Sequence, residues 1–143
     1  MRKDIRRFVE TELEFYHKTK KEYESFKDDL ISTKNLEMSQ VGGGKTYSIS
    51  NPTQNNAVRL ICNNRLKRMD ETIKAIEKTL EGLDKEKKEF IKIKYWSNKR
   101  YTMDGVALKL RNDYDVDVNS TKTLYNWRIK ICKQIAFELG LIN

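Results

Sequence analysis

The stretch TMDGVALKLRNDYDVDVNSTKTLYNWRIKICKQIAFELG, Thr102 to Gly140, decides how this chain is read. Its first part is a short apolar helix pattern from Met103 to Leu110, capped by Thr102, with Val106, Ala107 and Leu110 as core candidates. A polar turn from Arg111 follows. Ser120 then opens a second helix to about Leu139, in which Leu124, Trp127, Ile131, Ile135 and Leu139 recur at helical spacing. Two helices joined in this order form the pattern of a helix-turn-helix. The small Ala107 suits the close crossing, and Leu124 has the phase to bury against Val106 and Leu110. That arrangement turns Thr121, Lys122, Tyr125 and Asn126 outward, in the first two turns of the second helix. In a helix-turn-helix those are the turns that enter a DNA major groove.

The side chains there fit that task. Lys122 suits guanine edges and Asn126 suits adenine, whereas Thr121 and Thr123 suit phosphate or a thymine methyl, and the capping Ser120 at the helix head joins the candidate DNA-binding set. A helix N-terminus also favours phosphate. Arg128, Lys130 and Lys133 lie further along, where a backbone contact is expected. Lys99 and Arg100, in the polar turn Ser97–Arg100, complete the candidate DNA-binding set.

Working outward, Asp84 is expected to cap a helix running to about Trp96, with Phe90, Ile91, Ile93 and Tyr95 in its second half. Upstream, Cys62, Leu66, Met69, Ile73, Ile76, Leu80 and Leu83 form an unbroken 4-3-4-3-4-3 series, the spacing of a coiled-coil seam. That helix, 52–82, has Asn51 as N-cap, Pro52 at its first position and Gln54 to complete a capping box. Residues 2–31 read as one long helix with Ile5, Val9, Leu13, Tyr16, Tyr23, Phe26 and Leu30 along one stripe. Between them, residues 32–50 carry Ser, Thr, Asn, Gln and Gly42-Gly43-Gly44, and are read as a flexible connector. The expected architecture is all-α: a helical hairpin or coiled-coil half, 1–83, followed by a helix-turn-helix domain, 84–143. Pairing of the two long helices within one chain and pairing between chains are both compatible with the pattern, so a homo-oligomer is an expected partner state.

Charge supports an anionic partner. The 143 residues carry 29 Lys and Arg against 21 Asp and Glu, for a net charge of +8. The part after Leu83 has 13 basic and 8 acidic residues, and so holds most of the surplus. Other chemistries fail on spacing. Gly42-Gly43-Gly44-Lys45-Thr46 lacks the earlier glycine of a phosphate-binding loop, Ser39 standing in its place, and no strand pattern precedes it. Asp113, Asp115, Asp117 and Asn119 begin like a calcium loop, but Val118 and Leu124 occupy the required glycine and glutamate positions. The alternation is read instead as a short extended segment, its carboxylates turned away from DNA. His17 is the only histidine, and Cys62 and Cys132 lack the spacing of a zinc site. No nucleophile has a base beside it, so no enzyme activity, metal or cofactor is expected. No apolar run approaches a membrane span and no secretory leader is legible, which implies a cytoplasmic location.

The segment from Glu89-Phe90-Ile91 to Tyr95-Trp96, the helix Thr102–Leu110 and the helix Ser120–Gly140 together resemble region 4 of sigma-70-type factors. The ending Ile131-Cys132-Lys133-Gln134-Ile135-Ala136-Phe137-Glu138-Leu139-Gly140 resembles more narrowly the RinA and ArpU group of phage transcriptional regulators. The order of parts, helix, Gly-containing linker, long helix and helix-turn-helix, is also similar to RinA-type proteins. The turn from Arg111 to Ser120 is several residues longer than is usual there. The resemblance implies a sequence-specific regulator of phage or prophage late genes, acting on double-stranded DNA and contacting RNA polymerase. A small terminase-like packaging subunit and a polymerase-binding adaptor share the same parts and are the competing functions.

Overall fold

The computed structural model describes the backbone of residues 1–39 and 52–143, and the side chains of 1–30 and 59–143. Six α-helices and no strand occur among the described residues: α1 (Lys3–Glu14), α2 (Tyr16–Ser39), α3 (Pro52–Glu81), α4 (Lys85–Tyr95), α5 (Met103–Tyr114) and α6 (Thr121–Glu138). The all-helical class expected from the periodicity is the observed one. Pro52 opens α3, where its fixed φ and missing N–H cost nothing. The expected Asn51 cap, the Gln54 capping box and the triple glycine lie outside the described side chains. Residues 32–39, read as connector, continue α2 to Ser39; their polar composition lowers helix propensity but does not forbid a helix.

Two compact units result. One joins Met1–Tyr16 to Lys74–Asn143, and the other is His17–Ile73. This division differs from a boundary after Leu83. The single helix expected over 2–31 is interrupted at Phe15, whose φ of −91° and ψ of 9° end α1 before α2 begins at Tyr16. The apolar stripe continues on both sides of the break, so periodicity alone does not reveal it.

In the first unit, α1 packs on α6, α4 on α5, and α5 on α6. Phe90, Ile91, Leu13, Ile76, Val106, Leu110, Leu124 and Ile131 are almost fully buried. Each such side chain contributes about 1.5–3 kcal/mol relative to exposure. Aromatic contacts add shape: Phe90 meets Tyr95 and Trp127 edge-on, at 6.4 and 6.1 Å between ring centroids. Tyr16 stacks on Trp96 at 5.6 Å and donates its hydroxyl to Glu77 at 2.7 Å. The indole N–H of Trp96 donates to the Leu13 carbonyl at 2.8 Å.

The starts of α4 and α5 and the end of α6 follow the sequence. Asp84 accepts from the Lys87 amide and Thr102 from the Gly105 amide, at 3.1 and 3.2 Å, so both expected caps form. The Lys87 amide hydrogen bond holds the Asp84 carboxyl below its ordinary range. At the other end of α6, Gly140 takes φ +71° while Leu141 and Gly140 donate to the Ala136 and Phe137 carbonyls. That glycine-based Schellman stop requires a left-handed residue.

In the second unit the Arg65 guanidinium lies 4.7 Å over the Phe26 ring, beside α2. Of the heptad positions there, Ile73 is buried, Cys62, Leu66 and Met69 are half-buried, and the neighbouring Leu60 and Ile61 are exposed. The seam is covered most fully in its middle, at Ile73 and Ile76, and Leu80 and Leu83 are again half-buried.

Candidate functional site

α6 has two very different sides. Leu124, Ile131, Cys132, Ile135 and Ala136 are buried. Lys122, Asn126, Ile129 and Lys133 are exposed and follow one another at steps of four, three and four, which places them on one outward stripe. Lys130 and Tyr125 are exposed on its flanks. Among the described residues, Lys122, Lys130 and Lys133 have no carboxylate within 4.0 Å. The stripe is thus a strip of uncompensated positive charge with an amide and one aliphatic side chain in it.

The start of α6 is set by backbone, not by a side-chain cap. Ser120 is extended, with φ −158° and ψ 156°, and no side-chain cap bond forms. The Ser120 carbonyl accepts from the Thr123 amide at 3.1 Å. The expected capping role of the Ser120 hydroxyl is thereby corrected: the hydroxyl is left exposed at the head of the helix. Thr121 and Thr123 flank it, half-buried.

Arg128 departs most from expectation. Its side chain is only 20% exposed, and its Nε lies 3.7 Å from Glu10 Oε1 of α1. The guanidinium also lies 4.9 Å over the Tyr125 ring. Arg128 thus belongs to a polar cluster facing α1, not to the outward stripe. In that cluster Tyr95 donates to Glu10 Oε1 at 2.8 Å, and Arg6 Nε approaches Glu10 Oε2 at 3.8 Å. Both Arg Nε atoms are buried without a hydrogen-bond partner, so Glu10 holds them by charge alone. Burial pushes the Tyr95 phenol well above its usual range, with nearby Cys132 and Glu10 adding to the effect. Burial likewise pushes the Cys132 thiol up to about 12. Periodicity could not find this cluster, because Glu10, Tyr95 and Arg128 come from three helices far apart in sequence.

Lys99 and Arg100 are exposed in the turn after α4. Arg100 lies 3.9 Å from Glu14, and a recess of about 170 Å³ beside it is lined by Glu14, Lys94, Tyr95 and Tyr101. No α6 residue lines that recess.

The acidic turn is shorter than it reads. α5 continues through Tyr114 and ends at Asp115, whose φ of 55° is left-handed. Asp and Asn tolerate that region better than other non-glycine residues. The Asp115 and Val116 amides both point to the Leu110 carbonyl, and the expected extended segment is confined to the few residues after Asp115. Two of its carboxylates are matched by α5 cations, Asp113 with Lys109 at 3.8 Å and Asp117 with Arg111 at 3.7 Å. These pairs are exposed and weak, but they offset the acidic charge next to the head of α6. No cluster of three metal-ligating side chains occurs among the described residues, and no described helix is long and apolar enough to cross a membrane.

The geometry defines a helical protein with two contacting helices, α5 and α6, and a basic exposed face on the second. A family model described as a protein of unknown function, DUF722, matches residues 10–136, and the chain belongs to that family. No curated protein and no solved structure matches it.

Proposed function

We propose that this DUF722 protein is a sequence-specific DNA-binding transcriptional regulator, with α5 and α6 as a helix-turn-helix and α6 as the reading helix. The observation that carries the reading is the outward stripe of α6. Its inner face is committed to the core, so Lys122 and Asn126 present free hydrogen-bonding groups in the first two turns, where a reading helix meets base edges. Lys130 and Lys133 then meet phosphate, and Ser120, Thr121 and Thr123 surround the amide-rich helix start. Together with the resemblance to RinA and ArpU regulators, this favours a phage or prophage late-gene activator working in the cytoplasm.

Band-shift titration of the full chain on duplex DNA over a range of salt tests the reading. Affinity should fall with a log–log slope of roughly −0.9 per phosphate contacted. Lys122→Ala combined with Asn126→Ala should abolish sequence-specific binding while far-ultraviolet circular dichroism stays unchanged. An unchanged footprint from that double variant would remove the site assignment.

A protein partner is supported by a different observation. Phe137 is 55% exposed, and a groove of about 490 Å³ bordered by Lys130, Lys133 and Ile142 lies beside it. RNA polymerase contact through this end of α6 is the second reading, and a salt-insensitive response to DNA would favour it. Exposed Leu60 and Ile61 on α3 support a homo-oligomer through the other unit, which sedimentation equilibrium tests.

A further inference from the structure

One residue of the outward stripe has no place in a purely electrostatic contact. Ile129 is 42% exposed and lies between Asn126 and Lys133 on the stripe, with Lys122 two turns before it and Lys130 beside it. An aliphatic group ringed by uncompensated lysines suits a partner that is an anion overall yet offers a small apolar feature at one point. In the DNA major groove that feature is the C5-methyl group of thymine, the sole apolar group on the base edges.

The spacing agrees. At about 1.5 Å rise per residue, Ile129 stands about 4.5 Å along the helix from Asn126 and about 10.5 Å from Lys122. Ile129 opens the third turn, and a helical side chain leans back over the turn before it, here the turn of Asn126; with base pairs stacked about 3.4 Å apart, its methyl groups come within one to two steps of the base met by Asn126. Its β-branched side chain has few rotamers to lose on docking. The neighbouring Tyr125 is engaged by the Arg128 guanidinium and the exposed Phe137 lies two turns further on, at the far end of the helix, which leaves Ile129 as the apolar group of this stripe nearest the reading turns. We infer that Ile129 is a specificity residue that packs on the methyl group of a thymine beside the base read by Asn126. The inference rests on the DNA reading above and adds to it a base identity at a position that no polar side chain reads.

Replacement of single thymines by deoxyuridine in a selected binding site tests it. The site would first be chosen from random duplex DNA by the full-length wild-type chain. Deoxyuridine removes only the methyl, so base pairing and charge are kept. At one thymine the exchange should weaken wild-type binding about fourfold, the worth of one buried methyl-sized group. Ile129→Ala should bind the thymine and deoxyuridine sites equally, whereas Ile129→Val should retain part of the difference. The variant's circular dichroism should match wild type, since the side chain is not in the core. Selective binding with no deoxyuridine effect, or an effect that persists in Ile129→Ala, would overturn the Ile129 assignment and leave DNA binding standing. Failure of the wild-type chain to select any sequence, with no salt-dependent duplex affinity, would overturn the DNA reading itself.

Discussion

Two surfaces of α6 carry similar chemistry in opposite electrostatic settings. The side facing α1 holds Arg128 against Glu10, with Tyr95 and Arg6 completing the cluster. The outward side holds Lys122, Lys130 and Lys133 without a carboxylate nearby, among the described residues. In sequence these cations look interchangeable, spread over twelve residues of one helix. Their difference is one of pairing. A guanidinium already facing a carboxylate and mostly desolvated has little to gain from a phosphate, whereas a solvated lysine loses little water and releases counterions from the nucleic acid. Positive charge therefore marks a ligand surface only where the fold has left it unspent.

The largest effect expected from breaking the α1 side is on stability. Leu13→Ala removes a fully buried side chain of α1 and should cost about 2–5 kcal/mol, read as a lower urea midpoint. Lys133→Ala on the outward side should stay within about 0.5 kcal/mol of wild type. Equal losses in the two variants would erase the distinction.

Next in size is the cluster itself. Glu10→Ala leaves the Tyr95 hydroxyl without its acceptor and two guanidiniums without their counter-charge, for a loss of about 1–3 kcal/mol. Arg128→Ala should also destabilise, yet leave the salt slope of DNA binding unchanged. Lys133→Ala should do the reverse and reduce that slope by about 1. A comparable slope change in Arg128→Ala would transfer Arg128 to the DNA-contacting set.

A smaller effect concerns helix ends. Asp84→Ala removes the α4 cap and should cost about 1 kcal/mol. Because the folded Asp84 carboxyl is held below its ordinary value, chiefly by the Lys87 amide, its contribution is complete above the usual Asp range. It is lost as pH falls through the lowered value. Glu12 works the other way: burial raises its carboxyl, so its penalty is relieved as pH falls through that raised value. Acid titration of wild type against Asp84→Ala should narrow the stability gap at low pH. A gap that stays constant down through the carboxylate range would contradict the cap's linkage.

The subtlest comparison is between the thiols. Cys132 is buried, its thiol raised to about 12, whereas Cys62 is half-buried. Iodoacetamide at mildly alkaline pH should alkylate Cys62 in the native state and reach Cys132 only on unfolding, as peptide mass mapping would show. Native-state modification of Cys132 would mean that the α6 core opens readily.

The helices themselves were legible because they depend on near neighbours. The Asp84 and Thr102 caps, the start at Pro52 and the inward phase of Leu124, Ile131 and Ile135 all follow from spacing and local hydrogen bonding. The outward positions of Lys122, Asn126 and Lys133 followed from the same phase. The break at Phe15 was not legible, since the stripe of α1 resumes in α2. Nor was the end of α5, where Tyr114 continues the helix and Asp115 takes the left-handed turn expected of Gly or Asn.

By itself, then, the sequence determined that this is a helical protein and which side of α6 is greasy, because a 3.6-residue period is a property of a single helix. Only the tertiary structure decided that Met1–Tyr16 joins Lys74–Asn143 in one unit. It alone decided that Glu10 captures Arg128 and that Lys122, Lys130 and Lys133 keep no carboxylate partner among the described residues. Those outcomes depend on which helix lies against which, and charge pairing across 118 residues of chain, from Glu10 to Arg128, leaves no periodic trace in the sequence.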